Sequence, residues 1–315
     1  MLSGRDVNRL AINKAMRAAL KALSYPDLNV KKNYQSLRQV KNITSPKLPF
    51  YKTWDHQVSR DGYDIPVRLF APNGCPAGML VFFHGGGWVT GNIDSYTRVC
   101  ADMARITGRL VISADYRLAP EHRFPAALED CYAVAEEVYA CSSLFGMQWE
   151  QIVLIGDSAG ANLAAAVSLM ARDKGRFLPS AQILIYPATY FDHSERSPFR
   201  SVQENGTGYL LTAKRICDYM ELYQSGPEDR TNPYFAPLLA QSFEHQPRTL
   251  IITAQYDPLR DEGEAYGRHL AEAGNEVEVY RIADALHGFF ALPPRFMHVK
   301  RTYEYINRFL NGVDA

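Results

Sequence analysis

The sequence predicts an α/β fold built on a mostly parallel, eight-stranded sheet that is flanked by helices. From about residue 54 onward, short apolar or β-branched runs alternate with helical patterns, which is typical of a parallel sheet covered on both faces. The 315 residues are enough for one large domain with an added segment. We therefore expect one main body and a separate lid.

Eight runs have the length and composition of β-strands. The first two are joined through Asp61 and Gly62 and predict an antiparallel pair, whereas the other six resemble strands that are buried on both faces. The predicted strands cover residues 54–59, 65–70, 79–83, 110–114, 152–155, 182–185, 250–253 and 277–282.

Apolar residues at helical spacing fill gaps between these strands, and each stripe can face the sheet. The stripes are formed by Leu128, Cys131, Ala135 and Val138 after Pro125, by Leu163, Val167 and Met170, and by Phe296, Val299, Tyr303, Ile306 and Leu310. Two regions do not follow the alternation, namely residues 1 to about 50 and about 188 to 235. We interpret both as candidates for the lid.

The N-terminal region contains an amphipathic helical pattern. Such a helix can lie on a membrane surface, but far more of them pack their apolar side on the same protein, which is what we expect here. The apolar positions are Ile12, Met16, Ala19 and Leu23, and the basic positions are Lys14, Arg17 and Lys21.

The overall charge argues against a nucleic-acid partner. Thirty-four basic residues balance 34 acidic ones, so no net field attracts nucleic acid, anionic membranes or strongly charged substrates. No apolar segment approaches the ~20 residues of a transmembrane helix, and no secretion signal is visible. We expect a cytoplasmic protein without stable membrane insertion that acts on a small neutral substrate.

The cysteines do not indicate a disulfide framework or a zinc ribbon. They are odd in number and contain no C-x-x-C pair, so reduced and mostly packed thiols are the expected state. The five are Cys75, Cys100, Cys131, Cys141 and Cys217.

A serine on a tight turn is the strongest chemical signal. Gly156-Asp157-Ser158-Ala159-Gly160 lies between the strand run that ends at residue 155 and an alanine-rich helical run. Small residues on either side allow a sharp strand-to-helix bend that exposes the hydroxyl, which makes Ser158 a candidate nucleophile. The alternative is a small residue that serves the turn alone.

A base and an acid follow the serine along the chain. Asp257 comes after the strand run 250–253, and His287 comes after 277–282, so both should reach the sheet edge that carries the serine. Asp261 and Asp284 are rivals for the acid, but Asp261 should lie on the next helix and Asp284 is only three residues from the base. The order Ser, Asp, His is that of an α/β-hydrolase.

A glycine loop supplies candidate oxyanion donors. His84-Gly85-Gly86-Gly87-Trp88 follows the strand run 79–83, and consecutive glycines let backbone N–H groups turn toward a ligand. We expect an oxyanion hole from Gly85, Gly86 and Gly87 together with the Ala159 N–H, with Gly86 and Gly87 as the best loop donors. His84 is interpreted as a support of the loop, and Asp157 as an anchor of the turn.

Five motifs together resemble the hormone-sensitive-lipase family of carboxylesterases, and within it the bacterial acetyl esterases. The motifs are H-G-G-G-W at 84–88, Y-R-L-A-P-E at 116–121, G-D-S-A-G at 156–160, Y-D-P-L-R-D-E-G at 256–263 and H-G-F at 287–289. The sequence departs from many members at Ala161, where they have a further glycine. We expect a packing difference there and intact catalysis.

The resemblance implies an α/β-hydrolase fold with a helical cap. The cap would comprise residues 1–50 and an insertion at 188–235, and the catalytic domain residues 51–187 and 236–315. The implied activity is hydrolysis of short-chain acyl esters, from acetyl to butyryl, by a Ser-His-Asp triad through an acyl-enzyme, without a metal or organic cofactor. Residues that could wall the substrate pocket are Trp88, Tyr190, Phe191, Tyr209 and Leu210.

Two alternatives stay open at this point. The first is a deacetylase of acetylated sugars or a hydrolase of other small esters, because the triad chemistry is the same and only the lid differs. The second is a binding or regulatory protein on a hydrolase scaffold, although plant gibberellin receptors, which resemble this family, lack the histidine that is present here as His287. We expect a monomer or a homodimer.

Overall fold

The computed structural model describes residues 29–43, 52–60 and 62–312. Its eight strands form one sheet with the order β1-β2-β4-β3-β5-β6-β7-β8. The strands are β1 (Thr53–Arg60), β2 (Tyr63–Phe70), β3 (Met79–Phe83), β4 (Leu110–Ala114), β5 (Ile152–Asp157), β6 (Ala181–Ile185), β7 (Arg248–Tyr256) and β8 (Val277–Leu286).

The sheet is antiparallel at one end and parallel elsewhere. β2 pairs antiparallel with both β1 and β4, and every other neighbouring pair is parallel. All residues of β3, β4, β5 and β6 are buried, which explains their continuous apolar composition. The predicted fold class, with its eight strands and opening antiparallel pair, is confirmed.

Helices cover both faces of the sheet. The helices are α1 (Val30–Ile43), α2 (Ile93–Thr107), α3 (Ala126–Ala140), α4 (Ala159–Lys174), α5 (Arg200–Asn205), α6 (Ala213–Tyr223), α7 (Arg260–Glu272) and α8 (Met297–Asn311). One core cluster includes Leu128 of α3, Leu163 of α4 and Leu270 of α7, whereas the other includes Met103 of α2 and Ile306 of α8. The sheet separates the two clusters because its side chains alternate between faces.

The two regions predicted to form the cap contact each other. The backbone N–H of Val30 in α1 donates to Oδ2 of Asp218 in α6 at 3.3 Å, and Lys31 forms an ion pair with Glu221 one turn further along α6. The predicted amphipathic pattern at 12–23, and most of the predicted segment 1–50, lie outside the described residues. The proposed domain boundaries stay a prediction.

The five cysteines are free thiols, two of which, Cys100 and Cys131, are buried. Within the described part of the chain, no helix combines the length and the apolar character needed to cross a membrane. The same residues include no group of three or more acidic, histidine or cysteine side chains placed to hold a metal ion.

Candidate active site

The turn between β5 and α4 holds Ser158 in an unusual backbone conformation. Its φ is 56° and its ψ is −120°, a positive-φ geometry that is costly for a residue other than glycine. A Cβ atom on Gly156 would lie 2.3 Å from the carbonyl oxygen of Gly160, and one on Gly160 would lie 1.9 Å from the carbonyl oxygen of Phe83. The turn therefore requires both glycines because β5, α4 and β3 meet there without space for side chains.

Ser158, His287 and Asp257 form a continuous hydrogen-bonded chain. The Ser158 hydroxyl lies 2.8 Å from Nε2 of His287, and Nδ1 of His287 lies 2.7 Å from Oδ2 of Asp257. Asp257 is fully buried, whereas Ser158 and His287 are partly exposed and line a cavity. A buried carboxylate that accepts Nδ1–H leaves Nε2 able to take the serine proton.

The two rival carboxylates have other partners. Asp261 bonds to the guanidinium of Arg260 at 2.7 Å and accepts the backbone N–H of Ser201 at 2.7 Å. Asp284 lies within β8, where its backbone N–H donates to Oε1 of Gln255. The structure thus brings Asp257, among the three candidates, to the histidine.

Residues of the segment 188–235, which is predicted to be a cap insertion, hold the loop that carries Asp257. Besides the Ser201 N–H bond to Asp261, the Ser201 hydroxyl donates to the carbonyl of Pro258 at 2.7 Å, and the Asn205 side-chain amide donates to the backbone carbonyl of Asp257 at 3.3 Å. The Leu259 N–H donates to the carboxylate Oδ1 of Asp257 at 2.9 Å. Helix α5 is thereby attached directly to the acid loop.

The glycine loop faces the serine, with one correction to the prediction. Gly86, Gly87 and Ala159 line the cavity beside Ser158, and Ala159 is the first residue of α4, where helical N–H groups have no partner within the helix. Gly85 is different, because its N–H donates to Oδ1 of Asp157 at 2.8 Å. Gly85 therefore supports the loop and is not among the candidate oxyanion donors.

Asp157 and His84 support the loop from below. Besides the Gly85 N–H, the Asp157 carboxylate accepts the hydroxyl of Tyr96 at 3.0 Å, and burial raises its pKa although these hydrogen bonds lower it. The His84 ring is fully buried and stacks on Tyr116 at 4.3 Å. Burial lowers the pKa of His84 to about 3, so the ring is neutral. A neutral, packed imidazole fits a structural role.

A cavity of about 270 Å³ opens at Ser158, and its wall corrects the predicted pocket. Trp88 lines it as expected. Tyr190, Phe191, Tyr209 and Leu210 are not among its described lining residues: Tyr190 packs on Phe191, Tyr209 stacks on Tyr256, and Leu210 is 41% exposed. From the two segments predicted to form the cap, the residues that do line the cavity are Lys41, Ala188, Leu211, Ile216 and Tyr219.

A family described as having the alpha/beta hydrolase fold matches residues 80–291. The chain belongs to this α/β-hydrolase family. An arylesterase of Saccharolobus solfataricus is 35% identical over 272 residues, which cover 84% of this chain and 86% of that relative. An ethyl acetate hydrolase of Pseudomonas putida is 37% identical over 240 residues, with 75% and 74% covered.

A solved structure supports the same family assignment. A hyperthermophilic esterase from the archaeon Pyrobaculum calidifontis superimposes on this α/β-hydrolase with a TM-score of 0.84 at 34% identity, and the match covers 96% of this chain and 98% of that one. The resemblance to the hormone-sensitive-lipase family of carboxylesterases is confirmed, and so is the prediction of a carboxylic ester hydrolase.

Sequence reasoning missed the cap residues of the α/β-hydrolase cavity for a physical reason. Ile216 and Tyr219 are three residues apart on α6, a spacing that places both on one helix face, so an apolar stripe was visible. Nothing in that stripe shows whether it faces the sheet or a cavity. Lys41 gave no signal, because a basic residue on a cap helix is ordinarily exposed.

Proposed function

We propose that this α/β-hydrolase is a serine carboxylesterase for short-chain acyl esters, from acetyl to butyryl. The observation that carries the proposal is the hydrogen-bonded chain from Ser158 through His287 to Asp257 at the floor of a small cavity. The cavity lies just below the 300–1,000 Å³ typical of drug-sized ligands, which favours small substrates.

In the first step, Ser158 Oγ attacks the ester carbonyl carbon. His287 Nε2 accepts the hydroxyl proton, while the Nδ1–H bond to Asp257 stabilises the imidazolium that forms. The N–H groups of Gly86, Gly87 and Ala159 are the proposed donors to the oxyanion, and each is worth about 3 kcal/mol in the transition state.

Collapse of the tetrahedral intermediate breaks the bond to the alcohol, and His287 returns the proton to the departing oxygen. The acyl group then remains on Ser158. A water molecule gives its proton to Nε2 of His287 and attacks the acyl carbon, after which the acid leaves and the serine recovers its proton. The positive-φ turn holds Ser158 at the N-terminal end of α4. The helix dipole is positive there and favours the negative charge that develops on the carbonyl oxygen of the ester.

The test is hydrolysis of p-nitrophenyl esters that increase in acyl length from acetate to decanoate. We expect the highest kcat/KM between acetate and butyrate, and a loss of at least about 1,000-fold in kcat for Ser158→Ala, His287→Ala and their double variant alike, because the triad acts as a unit. Wild-type activity in Ser158→Ala would contradict the triad, and an optimum at long chains would contradict the substrate class.

A fluorophosphonate probe separates the enzyme from a binding protein on the same scaffold. Rapid labelling at Ser158 that is lost in Ser158→Ala is expected of the enzyme. A protein that is inert to the probe would instead favour the binding alternative. A panel of acetylated sugars, assayed for released acetate, tests the deacetylase alternative separately.

A further inference from the structure

The cavity at Ser158 carries a lysine. Lys41, two residues before the end of α1, lines it together with Gly86, Gly87 and Ser158. Among the described lining residues it is the one lysine or arginine, and most of the remaining wall is apolar or aromatic. A cation at this place bears directly on which esters bind.

Helix α1 is fixed where it presents this lysine. The guanidinium of Arg38 donates from Nε to the carbonyl of Val89 at 2.7 Å, and from Nη2 to the carbonyl of Ala119 at 2.8 Å. It also forms an ion pair with Glu121 at 2.8 Å. Arg38 precedes Lys41 by three residues, so both lie on the same side of the helix. Lys41 is therefore held at the cavity by a well-anchored element.

Lys41 shares the cavity with one carboxylate, that of Asp157, and can still bind an anionic ligand. Burial lowers the pKa of Lys41, while the Asp157 carboxylate acts in the opposite direction. That carboxylate already accepts hydrogen bonds from Gly85 and Tyr96. An ammonium group has three N–H donors, so it can bind a ligand in addition to a protein partner, and an anion beside it offsets the cost of its desolvation.

We propose that Lys41 binds a carboxylate carried by the ester substrate, so that the enzyme prefers half-esters of dicarboxylic acids or acyl esters of hydroxy acids. The inference rests on the proposed function, because it concerns the same cavity. It also refines the expectation of a neutral substrate, since a balanced net charge does not exclude a single cation inside the site.

Two pairs of esters with equal shape provide the test. Monoethyl glutarate is compared with ethyl isoheptanoate, in which an isopropyl group replaces the carboxylate on the acyl side. The acetate ester of β-hydroxypropanoate is compared with isoamyl acetate, which makes the same replacement on the alcohol side. Acid release is followed in a pH-stat, and kcat/KM is determined for each ester.

The variants are Lys41→Met, which keeps an unbranched chain and removes the charge, and Lys32→Met, a control at an exposed position of the same helix. We expect Lys41→Met to lower kcat/KM for the carboxylate ester of at least one pair by about tenfold, the usual worth of a charge-assisted hydrogen bond. Because any loss of packing affects both esters, the readout is the ratio of kcat/KM for the carboxylate ester to kcat/KM for its neutral partner, which should fall by about the same tenfold. Lys32→Met should change neither.

An equal decrease for both members of each pair would mean that Lys41 acts through Asp157 and the glycine loop, and would overturn the proposal. Lys41→Met values of kcat/KM that equal those of wild type for all four esters would overturn it as well. A failure of the proposed function is distinguishable, because the wild-type protein would then hydrolyse neither isoamyl acetate nor p-nitrophenyl acetate.

Discussion

The carboxylate of Asp157 accepts the backbone N–H of Gly85, with 2.8 Å between Oδ1 and nitrogen. Asp157 is the residue immediately before the proposed nucleophile, and Gly85 begins the glycine loop whose next residues are the proposed oxyanion donors. One buried hydrogen bond therefore sets the distance between Ser158 and the place where the oxyanion would form. The proposed nucleophile and the proposed oxyanion donors are thus held in place by the same hydrogen bond.

Removal of this carboxylate should impair kcat. Asp157→Ala leaves the Gly85 N–H buried without its acceptor, and we expect kcat to fall by up to about 100- to 1,000-fold, the range for loss of one oxyanion donor. Asp157→Asn is the matched control, because its amide oxygen can still accept the Gly85 N–H, and its loss should be smaller. Steady-state kinetics with p-nitrophenyl acetate measure both. Equal losses in the two variants would show that the negative charge matters and the hydrogen bond does not.

Tyr219 should limit the length of the acyl chain or alcohol. A Cβ atom on Gly87 would lie 2.4 Å from Cγ of Tyr219, so the ring of this cap residue lies directly on the glycine loop. Tyr219→Ala should raise the ratio of kcat/KM for hexanoate to that for acetate by about tenfold, since space for about two further methylenes at ~0.8 kcal/mol each corresponds to that factor. Tyr209→Ala is the control, because Tyr209 stacks on Tyr256 outside the described cavity wall. The same change in both variants would contradict this assignment.

Gly160 should tolerate no side chain. Gly160→Ala places its Cβ 1.9 Å from the carbonyl oxygen of Phe83, a backbone atom that cannot move alone. We expect a loss of more than about 3 kcal/mol in the free energy of unfolding, or failure to fold. Gly263→Ala in α7 is the control, with its nearest atoms at 3.3 Å in the ring of Pro187. Its unfolding free energy should stay within about 1 kcal/mol of wild type, because alanine favours the helix. Urea unfolding compares the two.

His84 should make the fold less stable in mild acid. Its pKa is about 3 in the folded protein because burial disfavours the charged ring, whereas the unfolded chain takes up the proton near pH 6.5. The contribution of the neutral His84 ring to the free energy of unfolding is complete above about pH 6.5. It decreases as the pH falls toward 3, at up to about 1.4 kcal/mol per pH unit.

A His84→Asn variant should therefore lose stability less steeply than wild type between pH 7 and 5. The exposed His56→Gln in β1 serves as the control and should keep the wild-type slope. Urea unfolding at several pH values gives the slopes. Parallel slopes for His84→Asn and wild type would contradict a neutral, buried imidazole.

The sheet was predictable because its central strands are buried on both faces. The predicted runs 79–83 and 110–114 coincide with β3 and β4, whose every residue is buried. β7 and β8 extend beyond the predicted 250–253 and 277–282, to Tyr256 and Leu286, because backbone pairing resumes after a register shift at Gln255, and Gln255 and Asp284 interrupt the apolar runs. Strand ends at the sheet edge are therefore the least predictable part of the fold.

The sequence predicted the three candidate catalytic residues better than it predicted the cavity wall. Ser158, Asp257 and His287 could be placed together from sequence because each follows a parallel strand, and such loops meet at one edge of the sheet. The unpredicted part of the cavity wall comes from α1 and from the segment 188–235, whose orientation depends on packing between distant segments. The same limit explains the Gly85 prediction: a run of three glycines does not reveal which N–H is taken by Asp157.

Helix α5 restricts how the predicted cap can move. Ser201 and Asn205 bond to the loop of Asp257, so an outward swing of this segment as a hinged lid would pull the acid away from His287. Substrates and products would therefore pass through the mouth of a cap that stays shut. Warming that loosens α5 would abolish turnover while the sheet is still intact, so that heat inactivation would precede global melting.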